Sequence, residues 1–336
     1  MKLSIIIPTY KGLDTLPIAI QSILFQSYKN YEIIVSDDNE TNSNDQIQTE
    51  ELVNKIKSRR INISYVKNGH HNGSYARNRG IEKAQGDVIL LLDDDDYYLA
   101  GHLQKVVDFF ESNSDVDVLF FDILVYTKEK ISKRISCPNI TSQTLVFGEK
   151  EIGTGSNICM KRRIFNSLKF DEKYLRHQDI EFVARVISKY KFCWIQDPGI
   201  VKYYNKIDNY PRLDLALEMQ QLLRDNMNKE NIISKEQCNL LKTAQLHNLY
   251  HDYLSKEVSR DIISAVIKEI KKDDSYTLFD RILYIGYHLS PKLFNFLVKK
   301  YVGKRTSNIL EDEKLISETR DRLMEEIHNE NMLLDK

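Results

Sequence analysis

The chain has 336 residues, more than most single compact domains contain, and this length indicates about two domains. Its 48 basic and 49 acidic residues give a formal net charge of −1 at pH 7, so the overall charge gives no reason to expect nucleic-acid binding. No apolar run reaches the roughly 18 residues of a membrane span, and Pro8 interrupts the apolar N-terminal run, so we expect neither a transmembrane helix nor a signal peptide.

The cysteines indicate a reducing compartment. Their spacings match neither a zinc site nor a redox pair, and three of them stand in apolar stretches, as small core residues do. Free thiols of this kind are typical of intracellular proteins, so we expect the protein to be cytoplasmic. The residues concerned are Cys137, Cys159, Cys193 and Cys238.

The first half of the chain alternates short β-rich runs with amphipathic helical patterns. Apolar and β-branched runs predict strands at 3–7, 31–35, 61–66, 87–92 and 116–126. Apolar residues spaced three and four apart predict helices at 13–26, 50–58, 74–84 and 99–111, with Ser74 as an N-cap. Because the strands are apolar along their whole length, this alternation predicts a parallel sheet covered by helices on both faces.

Polar residues directly follow three of these strands. They are Thr9 and Tyr10 after the first strand, Asp37 and Asp38 after the second, and Asp93–Asp96 after the fourth. Ligands of open parallel sheets bind beyond the carboxyl ends of the strands, so these side chains are candidates for one site. The earlier acids could also be helix caps or turn formers. Four adjacent carboxylates, however, repel one another unless a cation compensates them.

The acidic run at Asp93–Asp96 is suited to a divalent metal ion. Mn²⁺ and Mg²⁺ prefer oxygen ligands, and such an ion needs only one or two protein carboxylates if a diphosphate supplies the other ligands. The ion then neutralises charge that develops on a leaving group. We therefore expect Mn²⁺ or Mg²⁺ as a cofactor.

A further acid, Asp179, stands near the start of a predicted helix. Val183, Val186 and Ile187 continue the helical spacing, and the helix dipole stabilises a carboxylate in the first turn. An ordinary acid at a helix start would give the same pattern, so the residues alone leave its function open.

Several other segments have weaker signals. The stretch Gly153–Asn157 either lets backbone approach a ligand closely or forms a turn before an edge strand. His70 and His71 have no third metal ligand nearby in the sequence and are predicted to be loop residues. His177 is expected to be an ordinary histidine rather than a phosphate or metal ligand, and Trp194 is expected to lie in a core strand rather than under a sugar.

Four motifs occur in order within residues 4–96, and the likeness extends to about residue 200. Together they resemble the family-2, GT-A-fold inverting glycosyltransferases. This resemblance implies an α/β fold with a mostly parallel, Rossmann-like sheet and a nucleotide-diphospho-sugar donor. The motifs are 4–10 (SIIIPTY), 31–38 (YEIIVSDD), 73–80 (GSYARNRG) and 84–96 (AQGDVILLLDDDD).

The resemblance also implies which residues bind the donor nucleotide. Pro8, Thr9 and Tyr10 would line the nucleotide site at the end of the first strand. Asp38 would accept a hydrogen bond from a base N–H, which favours uracil, and Arg77 would approach the nucleotide.

In the acidic run, Asp93 and Asp95 match the family's two-acid motif. By the resemblance, Asp95 would coordinate the metal with support from Asp93, and Asp94 would lie near the ribose. Four consecutive acids leave this register open by one residue.

The resemblance places the catalytic base at Asp179, with Glu181 as the alternative. The base would take the proton of an acceptor hydroxyl while that oxygen attacks the anomeric carbon. The family usually has a Glu-Asp pair at this position, and here Gln178 replaces the glutamate. Asn39-Glu40 similarly replaces a usual Gly-Ser, so the loop after the second strand is expected to differ in shape. No Gln-x-x-Arg-Trp motif follows Asp179, which favours single-sugar addition over processive synthesis.

Strand patterns stop near Asn209, and we predict a catalytic domain at 1–209 followed by an α-helical domain at 210–336. Residues 278–305 combine a strong excess of basic residues with interleaved apolar and aromatic ones. This pattern indicates either peripheral contact with an anionic membrane, at the inner face of the cell membrane, or packing on the catalytic domain. The charged segment 310–334 could form a short coiled coil in a homodimer. Helices are predicted at 213–228, 235–254, 259–271, 278–288, 292–302 and from 310 onward.

The sequence therefore predicts a metal-dependent, non-processive inverting glycosyltransferase. The expected donor is a UDP-sugar, and the expected acceptor is a glycan or lipid-linked glycan of a bacterial surface polysaccharide or capsule. A catalytically silent scaffold that acts through its helical half is one alternative. A sugar-nucleotide pyrophosphorylase is another, but it would need a glycine-rich loop after the first strand, and that loop has the single glycine Gly12.

Overall fold

A computed structural model describes residues 1–127, 130–203, 212–255 and 260–273. The described residues divide into two compact units, one formed by residues up to 203 and the other by residues from 212 onward. The assignment of catalysis to 1–209 and of acceptor, membrane or oligomer contacts to 210–336 stays a prediction. The basic segment 278–305 and the proposed coiled coil at 310–334 lie outside the described residues.

The first unit is built on a mixed sheet with the strand order β3-β2-β1-β4-β8-β6-β9-β5, and β7 pairs with β6. The first four strands pair in parallel, as predicted, and β6 is parallel to β9. Antiparallel β8 enters between β4 and β6, and β5 and β7 are also antiparallel to their neighbours. The strands are β1 (Leu3–Thr9), β2 (Tyr31–Asp37), β3 (Ile63–Lys67), β4 (Val88–Leu91), β5 (Asp96–Tyr98), β6 (Val118–Thr127), β7 (Lys130–Ile135), β8 (Cys159–Lys161) and β9 (Phe192–Tyr203).

The helices of this unit follow the predicted pattern but differ at their ends. The second helix begins well before the predicted residue 50, because the Ser43 side chain accepts a hydrogen bond from Gln46 N and caps it. The third helix is capped by Asn72, whose Oδ1 accepts from Tyr75 N, so the predicted Ser74 cap is wrong. The helices are α1 (Leu16–Leu24), α2 (Asn44–Lys57), α3 (Gly73–Lys83), α4 (His102–Ser112), α5 (Ser142–Val146) and α6 (Gln178–Ile187).

Trp194 lies in the core of this unit, as predicted. Its indole Nε1 donates to Asp122 Oδ1 at 2.7 Å, and Asp122 is also paired with Arg134 at 2.8 Å. Because the ring is buried and its N–H is satisfied, it is not available for stacking under a sugar. The four cysteines are free, and Cys137 and Cys159 are buried.

The described part of the second unit is helical, as predicted. It consists of α7 (Leu213–Lys229), α8 (Lys235–Ser255) and α9 (Arg260–Lys272). Apolar side chains from these helices form their own buried cluster, which includes Leu246, Tyr250 and Ile263. In the described residues, none of the helices has the length and apolar character that a membrane span requires.

The close packing of α3 on β1 predicts that Gly80 tolerates no side chain. A Cβ at this position would collide with Ile6 Cγ2 of β1. We expect Gly80→Val to lower the free energy of unfolding by about 2 kcal/mol or more, because overpacking a tight contact is destabilising. Urea unfolding followed by the fluorescence of Trp194, the single tryptophan, reports this unit directly.

Lys83→Val, on the exposed side of the same helix, is the matched control for β-branching. It should cost only about 0.5 kcal/mol. Equal losses in the two variants would contradict the close approach of α3 to β1.

Candidate functional site

The ends of β1, β2 and β4 bring the predicted polar residues together. The backbone N–H of Asp38 donates to Thr9 O at 2.8 Å, and Thr9 Oγ1 donates to Asp94 Oδ2 at 2.5 Å. Beyond β4, the N–H of Leu92 continues the pairing with β1 by donating to Ile6 O at 3.0 Å. Three separate motifs of the sequence thus form one site at the carboxyl edge of the parallel strands.

Asp38 and Tyr10 form one side of this site. The Asp38 carboxylate is only 3% exposed and accepts a hydrogen bond from His71 N at 2.9 Å. Burial raises its pKa above the usual value. Tyr10 is 41% exposed and stacks on His70 with 4.6 Å between the ring centroids. A buried acceptor beside an exposed aromatic stack suits a planar ring that carries an N–H.

Asp94 is held against the end of β1. Burial, together with the neighbouring charges of Asp95 and Asp93, raises the pKa of Asp94 to about 7, although the hydrogen bond from Thr9 acts in the opposite direction. A Cβ on Gly12 would collide with the Asp94 carboxylate, so this position needs a glycine. Gly12, the single glycine after β1, therefore leaves the space that the Asp94 carboxylate occupies.

Asp93 and Asp96 are bound by groups of the protein itself. Asp93 Oδ1 pairs with Arg77 Nη2 at 2.6 Å, and its Oδ2 lies 3.0 Å from Thr154 Oγ1. Asp96 is 2% exposed, and its Oδ2 lies 2.7 Å from Thr154 Oγ1 and 2.6 Å from Ser156 Oγ. Burial, with the charges of Asp95 and Asp93, raises the pKa of Asp96 to about 8. Asp96 is therefore a structural acid of this site.

Asp95 is the exposed member of the acidic run. Its carboxylate accepts no hydrogen bond from another residue within the described ranges. Although the side chain is exposed, the surrounding protein atoms limit its hydration, and this effect together with the charge of Asp93 raises its pKa to about 6. An unshielded carboxylate in crowded negative surroundings fits a hard divalent cation.

The described residues contain no cluster of three or more His, Cys, Asp or Glu side chains arranged to hold a metal ion alone. The Asp95 carboxylate has no hydrogen-bond donor from another described residue, and Asp93 keeps lone pairs beyond those used by Arg77 and Thr154. These two carboxylates could contribute oxygens to a metal ion that takes its other ligands from a bound substrate.

The stretch Gly153–Asn157 covers the acidic run. Gly153 has φ +83°, and a Cβ there would lie 2.6 Å from Ile123 Cδ1. A Cβ on Gly155 would lie 3.1 Å from Arg77 Nη2 and 3.2 Å from Asp93 Oδ2. This stretch leads into β8, which lies between β4 and β6, so the alternative interpretation of the stretch as a turn before an edge strand is wrong.

Asp179 stands in the first turn of α6, next to this site. It is half-buried, and its Oδ1 accepts a hydrogen bond from Ile180 N at 2.9 Å. A Cβ on Gly73 would lie 2.8 Å from Arg77 Nη1 and 3.5 Å from Gln178 Nε2. The start of α6 therefore adjoins the arginine that pairs with the acidic run.

Glu181, the alternative base, is engaged elsewhere. It is 1% exposed, and its two carboxylate oxygens accept from Arg185 at 2.6 and 2.7 Å. An acceptor hydroxyl would have to displace a buried ion pair to reach it, so the geometry favours Asp179. His177 is half-buried with φ +63° at the cap of α6, and burial lowers its pKa.

Sequence reasoning missed several residues of the site. Thr154 and Ser156 were not singled out individually within the stretch 153–157. His70 and His71 were expected to be loop residues rather than a zinc site, and their contacts with Tyr10 and Asp38 were not predicted. Lys202 of β9 was not singled out, although its Nζ donates to Gly153 O at 2.7 Å. Hydrogen-bonding residue types were visible in the sequence, but their partners lie far away along the chain.

Comparison with known proteins agrees with this geometry. The sequence profile described as "Glycosyl transferase family 2" matches residues 4–169. The chain is 36% identical over 235 residues to the Escherichia coli protein WfaP, named UDP-Glc:alpha-D-GlcNAc-diphosphoundecaprenol beta-1,3-glucosyltransferase. That alignment covers 68% of this chain and 84% of WfaP.

Two further proteins are similar over different lengths. A Campylobacter jejuni protein, named GalNAc(5)-diNAcBac-PP-undecaprenol beta-1,3-glucosyltransferase, is 33% identical over 40% of this chain and 42% of its own length. The crystal structure of S. aureus TarS in complex with UDP-GlcNAc superposes with a TM-score of 0.60 and 15% identity, covering 92% of this chain and 93% of that one. This likeness confirms the predicted GT-A fold with its mostly parallel sheet and added helices.

The raised pKa values predict how stability depends on pH. Asp94 and Asp96 titrate near 7 and 8 in the folded protein, well above about 4 for an unfolded aspartate. The folded state then binds more protons than the unfolded state between these values, so stability falls as pH rises from about 4 to 8. We expect Asp96→Asn to reduce the fall in melting temperature that metal-free wild-type protein shows between pH 5.5 and 8.

The difference between wild type and Asp96→Asn in this pH dependence of the melting temperature reports Asp96 alone, because histidines and other groups titrate in both proteins. Thermal unfolding in the presence of a chelator, at matched ionic strength, measures it. Identical slopes in wild type and variant would show that Asp96 is ionised throughout this range.

Proposed function

The chain belongs to glycosyl transferase family 2, and we propose that it is an inverting enzyme that transfers one sugar per catalytic event. The proposed donor is a nucleoside-diphosphate sugar with uridine as the nucleoside. The observation that supports this most strongly is the acidic run, in which the protein holds three carboxylates and leaves Asp95 open. Asp94 connects this run through Thr9 to Asp38.

The donor nucleoside would bind at the ends of β1 and β2. Tyr10 offers an exposed ring for stacking, and the buried Asp38 offers an acceptor for a base N–H such as that of uracil. Pro8 and Thr9 would form the floor beneath the nucleoside, and Asp94 would face the ribose. Arg77, which pairs with Asp93, would complete the site on the phosphate side.

Asp95, supported by Asp93, would hold Mn²⁺ or Mg²⁺ together with the donor diphosphate. When bound, the ion neutralises negative charge on the departing nucleoside diphosphate. The protein's part is to keep Asp95 open and its neighbours fixed, which the bonds to Arg77, Thr154 and Thr9 do.

Asp179 would act as the general base. Its carboxylate would accept the proton of the acceptor hydroxyl while that oxygen forms a bond to the anomeric carbon and the bond from that carbon to the diphosphate breaks. Attack from the side opposite the leaving group inverts the anomeric configuration. The position of Asp179 in the first turn of α6, adjoining Arg77 through Gln178, supports this role.

The proposed acceptor is a glycan carried on a lipid diphosphate. WfaP and the Campylobacter protein are both named for acceptors linked to undecaprenol, and a relative that acts in amylovoran biosynthesis is 28% identical over 205 residues. We therefore place the reaction in the synthesis of a bacterial surface polysaccharide, in the cytoplasm at the inner face of the membrane. Peripheral membrane contact through residues 278–305 and dimer formation through 310–334 belong to this proposal.

The alternative functions have less support. Family membership and the single glycine in the loop after β1 favour transfer over pyrophosphorolysis, which would need a glycine-rich phosphate-binding loop there. A silent scaffold would have no need to keep Asp95 open or to hold Asp93, Asp94 and Asp96 in separate bonds.

Asp95→Asn is expected to abolish metal-dependent binding of UDP, because the open carboxylate is lost while the protein-bound acids remain. Isothermal titration of the full chain with UDP, with and without Mn²⁺, measures the effect. Asp87→Asn, at the opposite end of β4 with an exposed side chain, is the matched control and should bind UDP as wild type does. Retained Mn²⁺-dependent UDP binding by Asp95→Asn would exclude Asp95 as the metal ligand.

Asp179→Asn is expected to lower the rate of sugar transfer about 100-fold or more while leaving UDP affinity and melting temperature unchanged. Glu181→Gln should instead lower the melting temperature, because it breaks a buried ion pair. Transfer to a polyprenyl-diphosphate-linked sugar, assayed with a panel of UDP-sugars and Mn²⁺, provides the rate. Full transfer activity in Asp179→Asn would rule out Asp179 as the base.

A further inference from the structure

Lys202 lies beside the acidic run, and no described carboxylate is paired with it. It is paired across the sheet with Asp96, since β9 runs antiparallel to β5 in that register. Its Nζ donates to Gly153 O at 2.7 Å, in the stretch that covers Asp93 and Asp96. This bond occupies one of the three N–H groups of the ammonium, and within the described residues Lys202 makes no ion pair.

Arg77 and Lys202 are engaged differently beside the acidic run. Arg77 is bound to Asp93 at 2.6 Å and is buried. Lys202 is half-buried, and its strand position lies opposite Asp96, the residue that follows Asp95. Within the described residues its ammonium forms no ion pair with any of the four acids.

The bond to Gly153 does not by itself explain the lysine. Gly153 lies close against Ile123, and Asn157 holds the same stretch through bonds to Phe121 O at 3.0 Å and Ile152 O at 3.1 Å. A neutral donor would serve equally well at Gly153. The hydrogen bond to Gly153 therefore does not account for the positive charge of Lys202.

An ammonium beside Asp95 weakens the attraction between this carboxylate and a cation. That cost is offset if an anion that also binds the cation enters the same place. A nucleoside diphosphate is such an anion, because its two phosphates present several oxygens to a metal and to nearby N–H donors.

We propose that Lys202 binds the diphosphate of the donor nucleotide, next to the metal held by Asp95, and stabilises the charge of the leaving group. This inference rests on the proposed function and adds a specific phosphate-binding residue to it. Lys202 would keep its bond to Gly153 O and use its remaining N–H groups for phosphate oxygens.

The test compares Lys202→Gln with Lys161→Gln in the full-length chain. Glutamine keeps an N–H for Gly153 O and removes the charge. Lys161 of β8 is a matched control, because it is also a half-buried strand lysine whose Nζ donates to a backbone carbonyl, that of Ser114. Lys202→Arg, which preserves the charge, is the rescue variant.

Titration with UDP, with UMP and with Mn²⁺ alone gives three separate readouts. In Lys202→Gln we expect UDP affinity in the presence of Mn²⁺ to fall roughly tenfold or more, as on loss of a hydrogen bond to a charged group. UMP, which lacks the second phosphate, should bind with little change, and Mn²⁺ alone should bind as well as or better than to wild type. Lys202→Arg should retain most of the UDP affinity, and Lys161→Gln all of it.

Unchanged UDP affinity in Lys202→Gln would overturn the proposal. So would equal losses for UDP and UMP with a lowered melting temperature, because they would show that Lys202 only supports the Gly153–Asn157 stretch. Failure of the wild-type chain to bind UDP at all would be a different result, since it would refute the proposed function itself.

Discussion

The site depends on one electrostatic constraint, the placement of four consecutive carboxylates at the end of a buried strand. Like charges this close cannot all remain ionised without compensation. Asp94 and Asp96 accept hydrogen bonds from hydroxyl groups and have raised pKa values. Asp93 is paired with Arg77. Only Asp95 stays open, and in the proposed function a divalent cation bound there would offset the mutual repulsion of the run.

This constraint accounts for features elsewhere in the first unit. Gly12 lacks a side chain because Asp94 occupies the space where a Cβ would lie, and Gly155 approaches Arg77 and Asp93 closely. The insertion of antiparallel β8 between β4 and β6 brings the Gly153–Asn157 stretch over the acids. The antiparallel part of the sheet, formed by the second half of this unit, therefore supplies the hydroxyl groups that bind the acids at the end of β4.

Much of this arrangement was predictable from the sequence, because it follows from local patterns. Apolar strands alternating with helices predicted the parallel pairing of β1 to β4, and polar residues after those strands predicted the edge at which they meet. Which of the four acids are bound by the protein and which one stays open was not predictable from the sequence. It depends on hydrogen-bond partners such as Thr154 and Ser156, which are about 60 residues away along the chain. The preference for Asp179 over Glu181 as the proposed base likewise depends on the ion pair between Glu181 and Arg185, which the sequence does not reveal.

The interpretation of the acidic run is tested most directly by electron paramagnetic resonance of Mn²⁺ bound to the full-length chain with UDP labelled with ¹⁷O on the terminal phosphate. Because Asp95 alone is a poor site, we expect little bound Mn²⁺ without UDP. With labelled UDP, the lines of bound Mn²⁺ should broaden, showing phosphate oxygen in the coordination shell. Tight Mn²⁺ binding that is independent of UDP, or lines unaffected by the label, would contradict a metal shared between Asp95 and the donor diphosphate.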